Sequence, residues 1–348
     1  MRFSLQLLPE QSSDELLTVI ARADALGFYG CYGADEIYHK DMWLILAAAA
    51  TQTQQIRLGP CVSPIFLRDP THVAQLAATL DELSHGRAEI VYGIGNLAML
   101  DQYGITWQGT RPLARLSEAH AVMRAMLDDG AIDFAGDFYS YSGIFTAARP
   151  VQKHLPIKIG AMGGPRSMQL AGKIADGMFT ACAYSPEAIR YAISHTQAGA
   201  EEAGRDADGL DIADNVLGAI GHDGEAARRA ARVLAAFYIP SMPGSLLERH
   251  GFSREELQPV IDAFAAGDTE RALDLTPTDV VDQLVVAGTP EDWIEQLRAI
   301  EATKLEHILL SFADPFTVQA WSGRQADGVP TLADQLQLVY DEVLPALA

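Results

Sequence analysis

The chain has 348 residues, of which 49% are hydrophobic, enough to form the core of one large domain. Its formal net charge of −21 disfavours nucleic acid and anionic membranes as partners, and no apolar run is long enough to span a bilayer. The three cysteines lack CxxC spacing and the nine histidines form no close ligand set, so neither disulfides nor a metal site is expected. The first residues show no cleavable signal pattern, which favours a cytoplasmic location.

Strand and helix patterns alternate along the chain. Short apolar runs predict eight strands, at 1–8, 28–33, from 56 onward, and at 87–95, 157–160, 176–180, 211–220 and 307–311. Helices follow them, one of them starting where Asp69 can cap the first turn and Pro70 can fill it. Eight such units predict a closed α/β (β/α)8 TIM barrel, forming one domain over 1–348. A hairpin is expected within 130–150 and a helical insertion at 225–275, after strand seven.

Polar residues at the carboxyl ends of the strands are the first candidates for chemistry, because the active site of such a barrel lies there. Asp35 and Glu36, after strand two, form the best acid–base pair. Adjacent carboxylates repel each other, and a partly dry barrel mouth raises the pKa of at least one of them. His39 is a weaker candidate. The alternative is that one carboxylate caps the loop, the other is solvated, and His39 is a surface residue.

The segment after strand three is irregular and lies between two prolines. Cys61, Val62 and Ser63 form an extended stretch between Pro60 and Pro64. Such a shelf presents backbone to something flat, and we interpret it as the support of a flavin-type ring.

Two glycine-containing segments follow later strands. Gly163, Gly164, Pro165 and Arg166 open a helix and could cradle a phosphate, although an ordinary βα turn also favours these residue types. The run 93–98 matches GxGxxA, but a long loop is expected after it and no second strand ends in an acid at the right distance, so a Rossmann fold is disfavoured. We expect these glycines to admit a bulky ligand near Gly95 and Asn96.

Two segments resemble the bacterial-luciferase-like superfamily, and within it the methylenetetrahydromethanopterin reductase branch, which uses the deazaflavin coenzyme F420. They are IRLGPCVSPIFLRDPTHVAQLAATLDELSHGRAEIVYGIG at 56–95 and PIKIGAMGGPRSMQLAGKIADG at 156–177. The resemblance covers most of residues 1–315. It implies a bulge at Cys61 and Val62 with a non-proline cis peptide behind the central ring, and Asp35 near the polar edge of that ring. It also implies homodimers, and a phosphate-bearing tail held by Ala161, Gly163 and Gly164.

Two departures set this chain apart from the family pattern. Glu36 stands where relatives often carry histidine, and the run 93–98 lacks the acid that commonly follows strand four. The proton donor of some relatives is therefore absent at both positions, and neither a pterin nor a sugar phosphate substrate follows from the resemblance.

These features together predict an F420-dependent oxidoreductase. It would move a hydride between the deazaflavin C5 and a small organic substrate, reducing an activated C=C, C=N or C=O bond. Glu36 would donate or accept the proton, with His39 as second choice. Two alternatives are an FMN-dependent monooxygenase on the same barrel and a non-catalytic barrel that carries the deazaflavin.

Overall fold

The computed structural model describes residues 1–106, 109–162, 164–181 and 185–347. Eight parallel strands close into a barrel in the order β1-β2-β3-β4-β7-β8-β9-β11, and β11 pairs with β1. The predicted (β/α)8 barrel is confirmed. The strands are β1 (Arg2–Leu7), β2 (Gly30–Gly33), β3 (Arg57–Pro64), β4 (Ile90–Gly93), β5 (Ala131–Ala135), β6 (Ser140–Phe145), β7 (Ile157–Gly160), β8 (Gly177–Ala181), β9 (Asp211–Ile220), β10 (Val286–Gly288) and β11 (His307–Phe312).

The helices surround this barrel, and among the described residues none is both long and apolar enough to cross a membrane. They are α1 (Ser13–Ala25), α2 (Met42–Ala50), α3 (Pro70–Leu83), α4 (Leu97–Gln102), α5 (Pro112–Asp128), α6 (Pro165–Ile174), α7 (Pro186–Glu202), α8 (Gly224–Tyr238), α9 (Gly244–Arg249), α10 (Gln258–Ala265), α11 (Thr269–Leu275), α12 (Thr278–Leu284), α13 (Pro290–Glu301), α14 (Pro315–Ser322), α15 (Leu332–Leu338) and α16 (Leu344–Leu347). A 3-10 turn (Ile239–Ser241) follows α8, and a π-helical turn (Val339–Val343) joins the last two helices.

Local signals start several helices where the sequence places them. Ser12 and Glu15 form a capping box at α1. Asp69 accepts the Thr71 N–H at 2.9 Å and Pro70 opens α3, so the predicted cap is confirmed.

Two expectations about element boundaries are wrong. The sequence pattern over 278–286 predicts a single helix, but α12 ends at Leu284 and three residues from Val286 form β10 against the end of β9. The long loop expected directly after β4 is interrupted by a helix, because α4 begins at Leu97. A Rossmann fold is therefore excluded by the closed barrel rather than by that loop; Trp107, placed in it, lies outside the described residues.

Side chains fill the middle of the barrel interior. Tyr32, Val91, Phe179, Ala213 and Leu309 form an apolar cluster in its middle. This packing leaves the carboxyl ends of the strands as the place where the barrel can receive a ligand.

A charged floor lies at the amino-terminal ends of the strands. Lys158 on β7 is buried and bonds both Glu89 and Asp211. His307 on β11 contacts Asp211 at 2.9 Å through Nδ1 and the Ser4 hydroxyl at 2.7 Å through Nε2. The floor therefore joins four strands and the residue before β4 through polar side chains, well away from the mouth.

The hairpin β5–β6 lies against the segment between β3 and α3. The Tyr139 hydroxyl donates to the Ile65 carbonyl at 3.2 Å, and the Tyr141 hydroxyl donates to Asp69 Oδ2 at 2.8 Å. The hairpin expected within 130–150 is thus confirmed, and it braces the irregular segment after β3.

Candidate active site

The shelf is the central feature of the mouth, and it lies within the last residues of β3 (Arg57–Pro64) rather than after the strand as expected. The peptide bond between Cys61 and Val62 is cis, and the pairing register with β4 shifts between Cys61 and Ser63. The predicted bulge and cis peptide are therefore confirmed. Cys61 and Val62 are half-buried, whereas Ser63 is buried below them. The backbone of two adjacent residues is thus turned out of the regular ladder at the mouth.

Glycines on the neighbouring strands receive the side chains of this shelf. A Cβ at Gly160 would overlap Val62 Cγ1, and a Cβ at Gly93 would lie 3.3 Å from Val62 Cγ2. Gly95 has a φ of +94°, and a Cβ there would lie 2.9 Å from the Pro64 Cβ. Gly93 and Gly160 thus leave room for Val62, and Gly95 leaves room for Pro64; that Gly95 and Asn96 also admit a ligand stays a prediction.

Asp35 holds the shelf against the end of β2. Its carboxylate accepts two bonds from Arg68, Nε to Oδ2 at 2.7 Å and Nη2 to Oδ1 at 2.6 Å. The Ser63 hydroxyl donates to Oδ2 at 2.9 Å and the Trp43 indole N–H donates at 3.1 Å. Asp35 is only 6% exposed. A buried carboxylate with four donors is a fixed anchor, and the alternative of a loop-capping or solvated residue does not describe it.

Glu36, the next residue, lies in a different environment. Its side chain is 20% exposed, and its Oε2 lies 3.8 Å from His39 Nε2. Burial raises the pKa of Glu36 above its ordinary value; His39 opposes this shift and Asp35 adds to it. This is the direction expected for one acid of the pair. The His39 side chain is 8% exposed, so it is not a surface residue.

The amino terminus of α6 lies beside the shelf, because β7 ends at Gly160. Ala161 is buried and its N–H donates to the Phe179 carbonyl at 2.9 Å. Gly164 precedes α6 without a side-chain cap, and its own N–H donates to the Met162 carbonyl at 3.0 Å. Pro165 and Arg166 are exposed in the first turn. Gly163 lies outside the described residues.

Buried polar atoms line the mouth of the barrel. Gln6 Nε2 donates to the Cys61 carbonyl at 3.1 Å, which orients its Oε1 away from that bond, and this oxygen has no partner among the described residues. The Thr180 hydroxyl is likewise buried without a partner in that part of the chain. The Ser311 hydroxyl donates to Asn215 Oδ1 at 2.8 Å. Buried polar atoms without partners are the atoms that a polar ligand can satisfy.

Comparison with known proteins identifies the family. A model described as "Luciferase-like monooxygenase" matches residues 1–307. The chain belongs to this family. The predicted luciferase-like membership is thereby confirmed, and with it the assignment of the protein as an enzyme of the oxidoreductase class.

Among luciferase-like relatives, the chain is similar to archaeal reductases over its whole length. It is 28% identical to a 5,10-methylenetetrahydromethanopterin reductase of Archaeoglobus fulgidus, covering 100% of both chains. The same identity holds for the reductase of that name from Methanopyrus kandleri, over 99% of this chain and 97% of the relative.

Solved structures show the same likeness. The coenzyme F420 dependent tetrahydromethanopterin reductase from Methanopyrus kandleri superposes with a TM-score of 0.89 at 26% identity, covering 100% of this chain and 99% of that one. The monooxygenase RslO1 from Streptomyces bottropensis has a TM-score of 0.73 at 23% identity over the full length of both chains, which shows a shared fold.

In this luciferase-like barrel, the structure brings some predicted site residues together and leaves others apart. Asp35 and Ser63 are bonded, and Glu36 and His39 form a second pair beside them. The carbonyl of Asn96 accepts the Leu100 N–H in α4. Arg68 was missed, and the only signal for it was an arginine in an irregular segment one residue before a helix cap. Asn215 and Ser311 were also missed: Ser311 ends a predicted strand, whereas Asn215 lies in the middle of another.

Proposed function

We propose that the protein is a coenzyme F420-dependent oxidoreductase that transfers a hydride between the deazaflavin C5 and a small organic substrate, reducing an activated C=C, C=N or C=O bond. The observation that carries this proposal is the turned-out backbone of Cys61 and Val62 at the open end of the barrel. The similarity to reductases over the whole chain supports it, and so does the name of the Methanopyrus kandleri structure.

The residues around the shelf fit such a coenzyme. Cys61 and Val62 offer a half-buried backing for a flat ring, and Gln6 Oε1 is an acceptor without a partner among the described residues. The first-turn amides of α6, at Arg166 and Ser167, are suited to a phosphate, because such N–H groups have no partner within their own helix. The partial positive charge at this helix terminus favours an anion locally, whereas the net charge of −21 disfavours anions over the molecule as a whole.

A bound deazaflavin would supply the carbon that gives or takes the hydride. The chain supplies position and protons. Asp35 and Arg68 tie the shelf to β2, so that the surface under the ring stays in place when substrate binds. Glu36 is half-buried with a raised pKa, so it retains its proton to a higher pH than an ordinary carboxyl. It can give that proton to the substrate atom that becomes negative as the hydride arrives.

Binding and turnover together test the proposal. The purified protein is titrated with F420 and with FMN, following the fluorescence of each, and hydride exchange is then measured against ketones, imines and activated alkenes. Glu36→Gln should keep the affinity for F420 while lowering turnover about 100-fold or more. Glu82→Gln, at an exposed acid on α3, is the matched control. Unchanged turnover in Glu36→Gln would remove Glu36 from the mechanism.

The description of the family model favours a second candidate, an FMN-dependent monooxygenase. Binding of FMN in preference to F420, with oxygen consumption, would establish it instead. Tight F420 binding without hydride exchange would support a carrier. The predicted homodimer and cytoplasmic location stay predictions, and light scattering of the purified protein tests the first.

A further inference from the structure

We propose that a small cavity at the rim of the barrel mouth binds a hydroxyl group of the substrate, so that the substrate is an uncharged compound with a free hydroxyl close to its reducible bond. The inference rests on the proposed function, because it names the substrate class of the same site. Three observations carry it: the lining of the cavity, two amide oxygens in that lining, and the size of the space.

The cavity lies between the ends of β1 and β11 and the helices α8, α14 and α15. Leu8, Leu234 and Leu332 form apolar walls, and two glutamines, Gln6 and Gln11, add polar ones. Within the part of the chain that the structure describes, no charged residue lines it. A carboxylate, phosphate or ammonium group would therefore lose its water here without gaining a charged partner.

Both glutamines use the nitrogen end of the amide within the protein. Gln6 Nε2 donates to the Cys61 carbonyl at 3.1 Å, and Gln11 Nε2 donates to Asp314 Oδ2 at 3.2 Å. Asp314 is itself fixed, because its Oδ1 accepts the Thr317 N–H at 2.8 Å in the first turn of α14. The two Oε1 atoms are buried and have no hydrogen-bond partner among the described residues. Since a buried acceptor without a partner costs free energy, both oxygens favour a ligand that donates hydrogen bonds.

The size of the cavity limits this donor to one small group. Its volume is about 20 Å³, enough for a group the size of a water molecule but not for a ring. A hydroxyl is an uncharged donor of that size. An ammonium is disfavoured, because the described lining offers it no carboxylate. The group that enters is therefore a hydroxyl, and the carbon that carries it lies against the leucines.

Gln6 connects the cavity to the shelf. Its side chain lines the cavity and bonds the Cys61 carbonyl, which belongs to the cis peptide. A hydroxyl in the cavity thus lies within about one side-chain length of the backbone that we propose supports the coenzyme ring. The reducible bond of the same small molecule can then lie over that ring. Because an amide oxygen can accept two bonds, this hydroxyl does not exclude a contact between Gln6 and the coenzyme.

Two ketones of the same size test the proposal. Hydroxyacetone carries the hydroxyl donor, and 2-butanone has a methyl group in its place. Their binding to the coenzyme-free protein is measured by ligand-observed NMR. Hydroxyacetone should bind about tenfold more tightly, as expected when a buried acceptor receives its bond. Equal affinities would show that the cavity holds only water, and they overturn the proposal, as does a failure of hydroxyacetone to bind.

A pair of variants locates the preference. Gln11→Met removes one unpaired oxygen but keeps the length of the side chain, and should reduce the preference for hydroxyacetone at least about threefold. Gln258→Met is the matched control, because Gln258 also donates to an aspartate, Asp262, but at the surface. An equal loss in both variants overturns the proposal. If Gln11→Met does not fold, the comparison of the two ketones on the wild type decides.

A titration with F420 bound separates the substrate from the coenzyme as the source of the hydroxyl. A preference that is retained with F420 bound supports the substrate. Its loss would show that a hydroxyl of the coenzyme fills the cavity, and it overturns the assignment. If F420 does not bind at all, the proposed function fails, while the coenzyme-free measurements still decide whether the cavity takes a hydroxyl.

Discussion

At the scale of single residues, adjacent acids in this site have opposite roles. Asp35 is saturated by four donors, whereas Glu36 lies in a partly dry position, with its Oε2 3.8 Å from His39 Nε2. The same residue type therefore acts once as an anchor and once as a proton-bearing group. Environment, rather than sequence neighbourhood, separates them.

The raised pKa of Glu36 predicts a pH-dependent cost in stability. Burial raises this pKa above its ordinary value of 4.5, so the folded state binds a proton where the unfolded state has released it. The wild type should therefore lose stability relative to Glu36→Gln as the pH rises from about 4.5 to 7, with no such difference below that range. Urea unfolding of both proteins at a series of pH values measures it.

The control for this prediction is Glu82→Gln, at an exposed acid. The difference in the free energy of unfolding between this variant and the wild type should not change with pH. If the difference in unfolding free energy between Glu36→Gln and the wild type is equally independent of pH, or becomes smaller as the pH rises, the assigned environment of Glu36 is contradicted.

Sequence reasoning reaches some residues of the site and not others, for physical reasons. Asp35 and Glu36 are visible because they are adjacent at a strand end. Arg68 is 33 residues from Asp35, and its bond depends on how the irregular segment after β3 folds back. The bond from Ser63 to Asp35 likewise depends on β2 and β3 lying side by side in the barrel, which no local pattern specifies.

At the scale of elements, the hairpin β5–β6 supports the shelf from outside the barrel. Tyr141 bonds Asp69, the residue that caps α3, so one hydroxyl links the hairpin, the helix start and the segment carrying Arg68. Tyr139 adds a bond to the Ile65 carbonyl. The position of the shelf thus depends on an element that belongs to neither β3 nor α3.

Tyr141→Phe should loosen this connection without disturbing the barrel. Loss of one hydrogen bond to a carboxylate should reduce the free energy of unfolding by about 1–2 kcal/mol. Amide hydrogen exchange should accelerate in residues 61–69 more than in β7 or β8, because only that segment loses a contact. Mass-spectrometric exchange measurements resolve the two regions.

Tyr340→Phe, at an exposed hydroxyl near the carboxyl terminus, is the comparison variant and should change stability by less than about 0.5 kcal/mol. Uniform acceleration across the barrel in Tyr141→Phe would show that the hairpin stabilises the whole fold and not the shelf.

The elements themselves were largely accessible from sequence. Ser12 with Glu15 and Asp69 with Pro70 satisfy helix termini locally, so their signals survive without tertiary context. β10 was missed because three residues from Val286 give no periodicity to detect, and the strand exists only through its pairing with β9. Gly160 at the end of β7 leaves room for a side chain from β3, and this reason for a glycine is not visible in the sequence.

At the scale of the whole molecule, stability and chemistry are concentrated at opposite ends of the barrel. Lys158 lies in the floor between two carboxylates. Glu89 immediately precedes β4, and Asp211 is the first residue of β9. Although burial raises the pKa of Glu89, Lys158 and Arg57 hold it below its ordinary value. Although burial also raises the pKa of Asp211, the hydrogen bond from His307 and the charge of Lys158 lower it, so both carboxylates are charged around the shared ammonium.

Lys158→Met should destabilise the protein strongly, because it leaves two acids without their shared cation. Breaking a buried ion pair costs about 3–5 kcal/mol, measurable as a lower midpoint of urea unfolding. Lys173→Met removes a surface pair with Glu202 and should cost less than about 1 kcal/mol. Equal effects of the two substitutions would show that the floor does not carry this stability.

The interlock between Val62 and the glycines of β4 and β7 has a consequence for divergence of this barrel. A methyl group at position 160 would compete for the volume that Val62 occupies, so enlargement there requires a smaller residue at 62. Substitutions at the carboxyl ends of β3, β4 and β7 therefore have to compensate one another. Redesign toward new substrates has more freedom on the loops around the opening than in the strands that form its rim.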